Sequence, residues 1–271
     1  MTQTQNTSSC GAVALVNVMV ALELDINMQL VAESVNIKTR RQTAPLPQYL
    51  LSRSEAGCTH ADLISGVNSV ARDRVRARFL PLYQRQFQLA QLLSNWISVG
   101  LVPVLTLNVQ KGPVCPDGQL QDSWHHQMVW GVQGQEIFLA NPLDVVSETS
   151  LIEQLDVPSE LLIKRADIVS RFQSGLDLME INRLGSRWRA MNVLGQVVNV
   201  MREERSLMKE EASSVMIESA MTMSSVDMIT LTSHINIPAS YTAGVTLFCL
   251  TSNPKALKFL TEIPDLPLKK L

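Results

Sequence analysis

Three side chains in the first half of the sequence have the types and the order that thiol chemistry requires. Cys10 stands where a polar run ends and an apolar run begins, and His125 and Asn141 follow at a separation of sixteen residues. A cysteine nucleophile needs an imidazole to take its proton, and the imidazole needs a polar neighbour to hold its tautomer. These residues therefore predict nucleophilic attack on a carbonyl carbon.

A helix is the element that would position the cysteine. Residues 11–22 are almost all apolar and suit a buried helix, for which Ser8 or Ser9 can serve as the N-cap. Cys10 would then lie in the first turn, where the helix dipole and the unpaired N–H groups favour a thiolate. The alternative is an inert, buried cysteine, which is common in proteins.

Strands are the elements that would position the other two side chains. Apolar runs cover residues 101–109, 124–132 and 136–140, and Gly134 lies in the short turn between the last two. With a two- or three-residue turn, His125 and Asn141 fall roughly opposite each other across the hairpin. The sequence thus predicts an antiparallel sheet that brings an imidazole close to an amide side chain.

The composition narrows the class of protein. With 46% hydrophobic and 18% charged residues, the 271-residue chain can build a sizeable core. A net charge of −2 without a long basic run argues against a nucleic-acid partner. The four cysteines show no CxxC spacing, which argues against a zinc site and for a reducing compartment. Without a signal peptide or a bilayer-length apolar run, a cytoplasmic protein that does not bind membranes is expected.

Taken together, the three residues and their spacing resemble papain-like cysteine peptidases of the C39-like branch. The resemblance covers roughly residues 3–150. It rests on Cys10-Gly11 at the start of an apolar helix, on His125 six residues before Gly131, and on Asn141-Pro142 at the end of the next strand. It implies an α+β, papain-like fold with an N-terminal catalytic helix and an antiparallel sheet. It also implies that Cys10 is the nucleophile, His125 the general base and acid, and Asn141 the orienting residue.

The oxyanion hole is where the sequence departs from this family. The family places a glutamine six residues before the cysteine, as a donor beside the cysteine N–H. Here Thr4 occupies that position, between Gln3 and Gln5. We predict that Gln5 is the side-chain donor, because Gln3 lies closer to a chain end that would fray.

Two of the assignments have alternates. Neighbours in a strand point to opposite faces, so only one of His125 and His126 can serve Cys10. The spacing to Gly131 favours His125, and His126 is the alternate base. Asp144 is the alternate third member if the Asn141 side chain points away.

The C-terminal region gives weaker signals. We predict a catalytic domain over residues 1–150 and a second, mainly helical region over residues 151–271 that docks on it. Within that region the patterns favour a helix over 159–172, a long helix over 179–207 and two strands over 233–250.

The resulting hypothesis is a thiol hydrolase that cleaves a peptide or amide bond in a protein or peptide substrate through a thioester. No metal or organic cofactor is implied. Two alternatives stay open: an amidase or acyl transferase that uses the same triad, and a non-catalytic binding module with a degenerate oxyanion hole.

Overall fold

The computed structural model describes residues 9–111, 123–217 and 231–269 of the chain. The α-helices are α1 (Cys10–Ala21), α2 (Met28–Ser34), α3 (Leu46–Glu55), α4 (His60–Ala71), α5 (Leu89–Ser98), α6 (Glu148–Leu155), α7 (Arg165–Val169), α8 (Glu180–Arg183), α9 (Ser186–Ala190), α10 (Val193–Ile217) and α11 (Pro254–Glu262). The strands are β1 (Val75–Pro81), β2 (Val102–Asn108), β3 (Trp124–Gln133), β4 (Glu136–Ala140), β5 (Asp144–Ser147), β6 (Glu160–Lys164), β7 (His234–Pro238) and β8 (Gly244–Leu250).

The chain forms two compact units, and neither is continuous in sequence. The first contains Met1–Arg40, Ser52–Glu160 and Ala239–Leu271, and the second contains Arg41–Leu51 and Leu161–Pro238. The sequence-based division at residue 150 therefore differs from the structural one. The reason is β8, a C-terminal strand that belongs to the sheet of the first unit.

A six-stranded sheet organises the first unit. Its strand order is β1-β8-β2-β3-β4-β5. Every adjacent pair in it is antiparallel. The α+β class with an antiparallel sheet, as expected from the sequence, is therefore confirmed, together with the predicted hairpin of β3 and β4.

Two hydrophobic cores cover the two faces of this sheet, because alternate residues of each strand point to opposite sides. In β2, Leu105 and Leu107 face the core built with α5, α6 and α11. Val104 faces the other core, which contains the buried residues of α1 and α4. In β3, Met128 belongs to this second core and Val129 to the first. The sheet parity thus assigns the even-numbered residues at the start of β3 to the α1 face.

A capping box fixes the start of α4 and with it the preceding residue, Cys58. The Thr59 hydroxyl accepts from the Asp62 N–H at 3.3 Å, and the Asp62 carboxylate accepts from the Thr59 N–H at 2.8 Å. Such reciprocal bonds satisfy donors that a helix leaves unpaired at its N-terminus. Cys58 is consequently held in one place on the α1 side of the sheet.

The second unit pairs β6 with β7 and contains α7 to α10. Its half-buried ion pairs join Arg165 to Glu203 at 2.5 Å and to Glu204 at 2.9 Å. The predicted helix over 159–172 is wrong in its first part, where β6 alternates buried and half-buried residues. The predicted long helix over 179–207 is interrupted at Gly185 (φ 150°) and Asn192 (φ 49°), which lie outside the helical region of backbone space.

Within the three described ranges, no helix combines the length and the apolar character that crossing a bilayer requires.

Candidate active site

Cys10 is the first residue of α1, as the sequence predicts. Its side chain is only 7% exposed. Ser9 occupies the N-cap position without a side-chain capping bond, and the first turn of α1 carries no acidic residue. The positive end of the helix dipole therefore acts on the Cys10 sulfur with no carboxylate from this turn to oppose it.

Gly11 allows a second cysteine to lie against the start of α1. A Cβ atom at this position would stand 2.0 Å from the Cys58 Sγ, 3.3 Å from Leu63 Cδ2 and 3.4 Å from His126 Cδ2. Only glycine fits so close an approach. The same distances place the first turn of α1 beside the beginning of β3.

We expect Gly11→Ala to destabilise the fold by about 2 kcal/mol, because the new methyl group overlaps the buried Cys58 sulfur. The gain in helix propensity, about 1 kcal/mol, offsets only part of the overlap. Urea unfolding of Gly11→Ala, Cys58→Ala and the double variant measures the effect. The double variant should be more stable than the sum of the two single changes predicts, and strict additivity would contradict the overlap.

His126 is fully buried, and both of its ring nitrogens are occupied. Its Nε2–H donates to the Cys58 carbonyl at 2.7 Å, and the Thr106 hydroxyl donates to its Nδ1 at 3.2 Å. A carbonyl can only accept, so the ring is the neutral Nε2–H tautomer. Burial lowers the pKa of His126 to about 4, although the bond to the Cys58 carbonyl opposes this effect. His126 is thus a weak base whose hydrogen bonds tie β3 to β2 and to the start of α4.

The stability of the protein should depend on pH through His126. The folded pKa of about 4 lies below the value of about 6.5 for an unfolded histidine, so the unfolded chain binds more protons between these values. We expect the free energy of unfolding to fall as the pH decreases from about 6.5 to 4. The His126 share is on the order of 3 kcal/mol.

The variant His126→Gln isolates this effect, because an amide keeps one donor and one acceptor but does not titrate. It should be less stable than the wild type at pH 7 and lose less stability on acidification. Unfolding curves of the two proteins at several pH values measure the difference. Parallel pH profiles would contradict the assignment.

His125 is half-buried and leaves β3 on the face opposite to His126. Its Nε2–H donates to the main-chain carbonyl of Asn141 at 2.8 Å. This bond fixes the tautomer and makes Nδ1 the basic nitrogen of the ring. The β3–β4 ladder begins at Met128, which pairs with Ala140, so His125 stands on a part of β3 that extends beyond its pairing with β4.

Asn141 lies next to His125, but its main-chain carbonyl oxygen makes the contact, whereas the sequence predicts a contact of its side chain. The same oxygen accepts a second bond, from the Gln127 side chain at 3.3 Å. Asn141 has a φ of 72°, a left-handed conformation that asparagine adopts more readily than most residues. Asp144, the alternate third member, is exposed at the start of β5, and its carboxylate accepts from the N–H of Val145 at 2.8 Å.

Tyr241, Trp124 and Cys58 belong to the surroundings of the candidate site, although the sequence around them does not indicate this. The Tyr241 hydroxyl donates to the Ala56 carbonyl at 2.7 Å, and its ring stacks on that of Trp124 with centroids 5.4 Å apart. Burial raises the pKa of Tyr241, and the nearby thiols of Cys58 and Cys10 raise it further. Burial also raises the pKa of Cys58, with a second contribution from Cys10. The sequence signal for this close packing is Gly11 directly after Cys10, because glycine allows another side chain to approach the helix closely.

Other predicted features fall outside the described residues or form no cluster. Gln5 and Gln3 lie outside the described ranges, and so does Cys115. Over residues 9–111, 123–217 and 231–269, no three His, Cys, Asp or Glu side chains are grouped so that they could hold a metal ion.

Comparison with known proteins gives a distant likeness to a solved structure. No protein-family model matches the sequence, and no curated protein is similar to it. Among solved structures, the chain is similar to a candidate C39-like peptidase from Bacillus anthracis, with 12% identity and a TM-score of 0.38. The match covers 57% of this chain and 87% of the other. The likeness is at the level of the fold alone.

Proposed function

We propose that the first unit is a papain-like thiol hydrolase, with Cys10 as nucleophile and His125 as general base. The observation that supports this proposal most is the bond from His125 Nε2–H to the Asn141 carbonyl. It holds the imidazole in the tautomer whose Nδ1 can accept a proton from a thiol. The start of α1 lies beside the start of β3 through His126. Because strand alternation turns His125 away from the α1 face, its imidazole must reach the Cys10 sulfur around the edge of β3, in the part of this strand that extends beyond β4.

The chemistry of the two histidines supports His125 over His126 as the base. His126 could accept a proton only by losing the hydrogen bond from Thr106, and its pKa of about 4 makes it a poor acceptor at neutral pH. The main-chain oxygen of Asn141 takes the role that the resemblance gives to the asparagine side chain. Gln127 donates to that same oxygen and helps to hold it in place.

In the proposed mechanism, His125 Nδ1 takes the proton of the Cys10 thiol, and the thiolate attacks the carbonyl carbon of a peptide or amide. The tetrahedral intermediate collapses as the amine leaves with the proton from the imidazolium, and an acyl thioester remains on Cys10. His125 then deprotonates a water molecule that attacks the thioester. The products are a carboxylate and the regenerated thiol. An amine in place of water would make the same site an acyl transferase.

Alkylation by iodoacetamide tests the nucleophile without knowledge of the substrate. At pH ~6 the elevated pKa values of Cys58 and Cys249, both caused mainly by burial, keep these sulfurs as unreactive thiols. We expect peptide mapping to show at least a tenfold faster alkylation at Cys10 than at either of them. The rate at Cys10 should fall in His125→Ala. Equal labelling of the three cysteines would contradict a catalytic role and favour a binding module.

A further inference from the structure

Trp124 is the first residue of β3, and it buries a polar group to which the described residues offer no acceptor. The side chain is only 5% exposed. Among the described residues, its indole Nε1–H meets no hydrogen-bond acceptor. A buried donor without an acceptor destabilises a fold, and native structures contain few of them. An unpaired donor of this kind is explained if a reaction intermediate supplies the acceptor oxygen.

The position of Trp124 connects it to the nucleophile. It precedes His125 directly and shares the α1 face of β3 with His126, whose ring lies against the first turn of α1. Its stacked partner Tyr241 also lies against His126, with ring centroids 5.9 Å apart. The indole therefore lies on the side of β3 that faces the first turn of α1, whose first residue is Cys10.

We propose that the indole Nε1–H of Trp124 is a donor of the oxyanion hole. This inference rests on the proposed function, which it extends by a catalytic residue. When the Cys10 thiolate forms a bond to the carbonyl carbon, the π electrons of the C=O bond move to the oxygen. The resulting oxyanion accepts the hydrogen bond from Nε1–H until the C=O bond re-forms and the amine leaves. Preorganised donors of this kind act on the charge that develops in the transition state.

A tryptophan in this role also accounts for a departure from the family pattern. Thr4, which cannot replace a glutamine amide as an N–H donor, stands six residues before Cys10. The Trp124 donor would reach the oxyanion from β3, in addition to the donor predicted at Gln5 in the loop before α1. The rigid stack of Trp124 on Tyr241, with an interplanar angle of 7°, holds the N–H in a fixed direction.

The test is Trp124→Phe in the full chain, which removes the N–H and keeps an aromatic ring for the stack. The matched control is Trp130→Phe, because Trp130 is 55% exposed and its Nε1–H donates to the Leu139 carbonyl at 3.3 Å. Hydrolysis of a pooled fluorogenic peptide library is measured for both, together with the alkylation of Cys10 by iodoacetamide. Alkylation forms no oxyanion, so it reports on the thiolate alone.

We expect Trp124→Phe to lower the rate of hydrolysis by about 10²-fold or more. Its alkylation rate and Tm should stay close to those of the wild type, and Trp130→Phe should hydrolyse at the wild-type rate. A hydrolysis rate of Trp124→Phe within threefold of the wild-type rate would overturn the inference, but it would not affect the assignment of Cys10 as the nucleophile. An equal loss of hydrolysis and alkylation would also overturn it, because Trp124 would then act on the thiolate. A wild-type rate no faster than that of Cys10→Ala would refute the hydrolase itself.

Discussion

Cys10→Ala is expected to lower the hydrolysis of a pooled fluorogenic peptide library by at least about 10⁴-fold, to the background level. The loss is large because the nucleophile and its base act as a unit, and the rest of the site supplies only a small residual rate. The change removes one sulfur from a nearly buried position and keeps a good helix former at the start of α1. The fold should therefore persist, with a loss of about 1 kcal/mol of stability.

Two control variants separate this effect from a general disturbance of the site. Cys58→Ala makes the same change in a second buried thiol beside α1, and it should retain hydrolysis. His125→Ala should match the loss in Cys10→Ala, whereas His126→Gln should lose stability more than turnover. Near wild-type hydrolysis by Cys10→Ala would end its assignment as the nucleophile. A greater loss of turnover in His126→Gln than in His125→Ala, with both proteins folded, would reassign the base.

The fragment 1–150 is expected not to fold. It lacks β8, which pairs with β1 on one side and with β2 on the other. Six of the seven residues of this strand are buried, and they contribute to the cores on both faces of the sheet. Without it, the edge strand β1 loses its partner in the described sheet, and both cores lose the apolar side chains of β8. Circular dichroism and urea titration of the fragment should show no cooperative transition.

A deletion variant provides the matched control. The Ala239 N–H donates to the Ser159 carbonyl at 2.8 Å, so the two ends of the excised segment 161–238 already lie together. A short Gly/Ser linker from Glu160 to Ala239 removes most of the second unit and keeps β8. This variant should unfold cooperatively. A stable, cooperative fragment 1–150 would show that β8 is dispensable.

The sequence predicts those elements whose signals are local. α1 follows from an apolar run after polar residues, and the β3–β4 hairpin follows from two apolar runs around Gly134. The break of the 179–207 helix is also local, at Gly185 and Asn192, but glycine and asparagine occur in helices as well, so their φ values cannot be read from the residue type. β6 is different, because its five residues suit a helix equally well and only pairing with β7 decides their conformation.

The contacts of the candidate site also divide into local ones, which the sequence predicts, and long-range ones, which it does not. The closeness of His125 and Asn141 was predictable, because both residues belong to one hairpin. The kind of contact was not predictable, because the imidazole binds the main-chain carbonyl and an irregularity between Val129 and Gly131 shifts the register. The role of His126 was not, because it depends on the Cys58 carbonyl, which a separate helix start delivers from 68 positions away. Likewise, Trp124 and Tyr241 meet only through the long-range placement of the C-terminal segment. A sequence pattern carries no signal for such contacts.

The place of β8 has a consequence for the order of events during synthesis. β1 and β2 leave the ribosome long before the strand that joins them, and Leu161–Pro238 of the second unit is made in between. Loop closure over such a distance is slow, so the sheet is completed late. Tyr241, which stacks on Trp124 of β3, arrives with the same segment as β8. A nascent chain consequently holds Cys10 in an unfinished unit until the segment that carries β8 has been made.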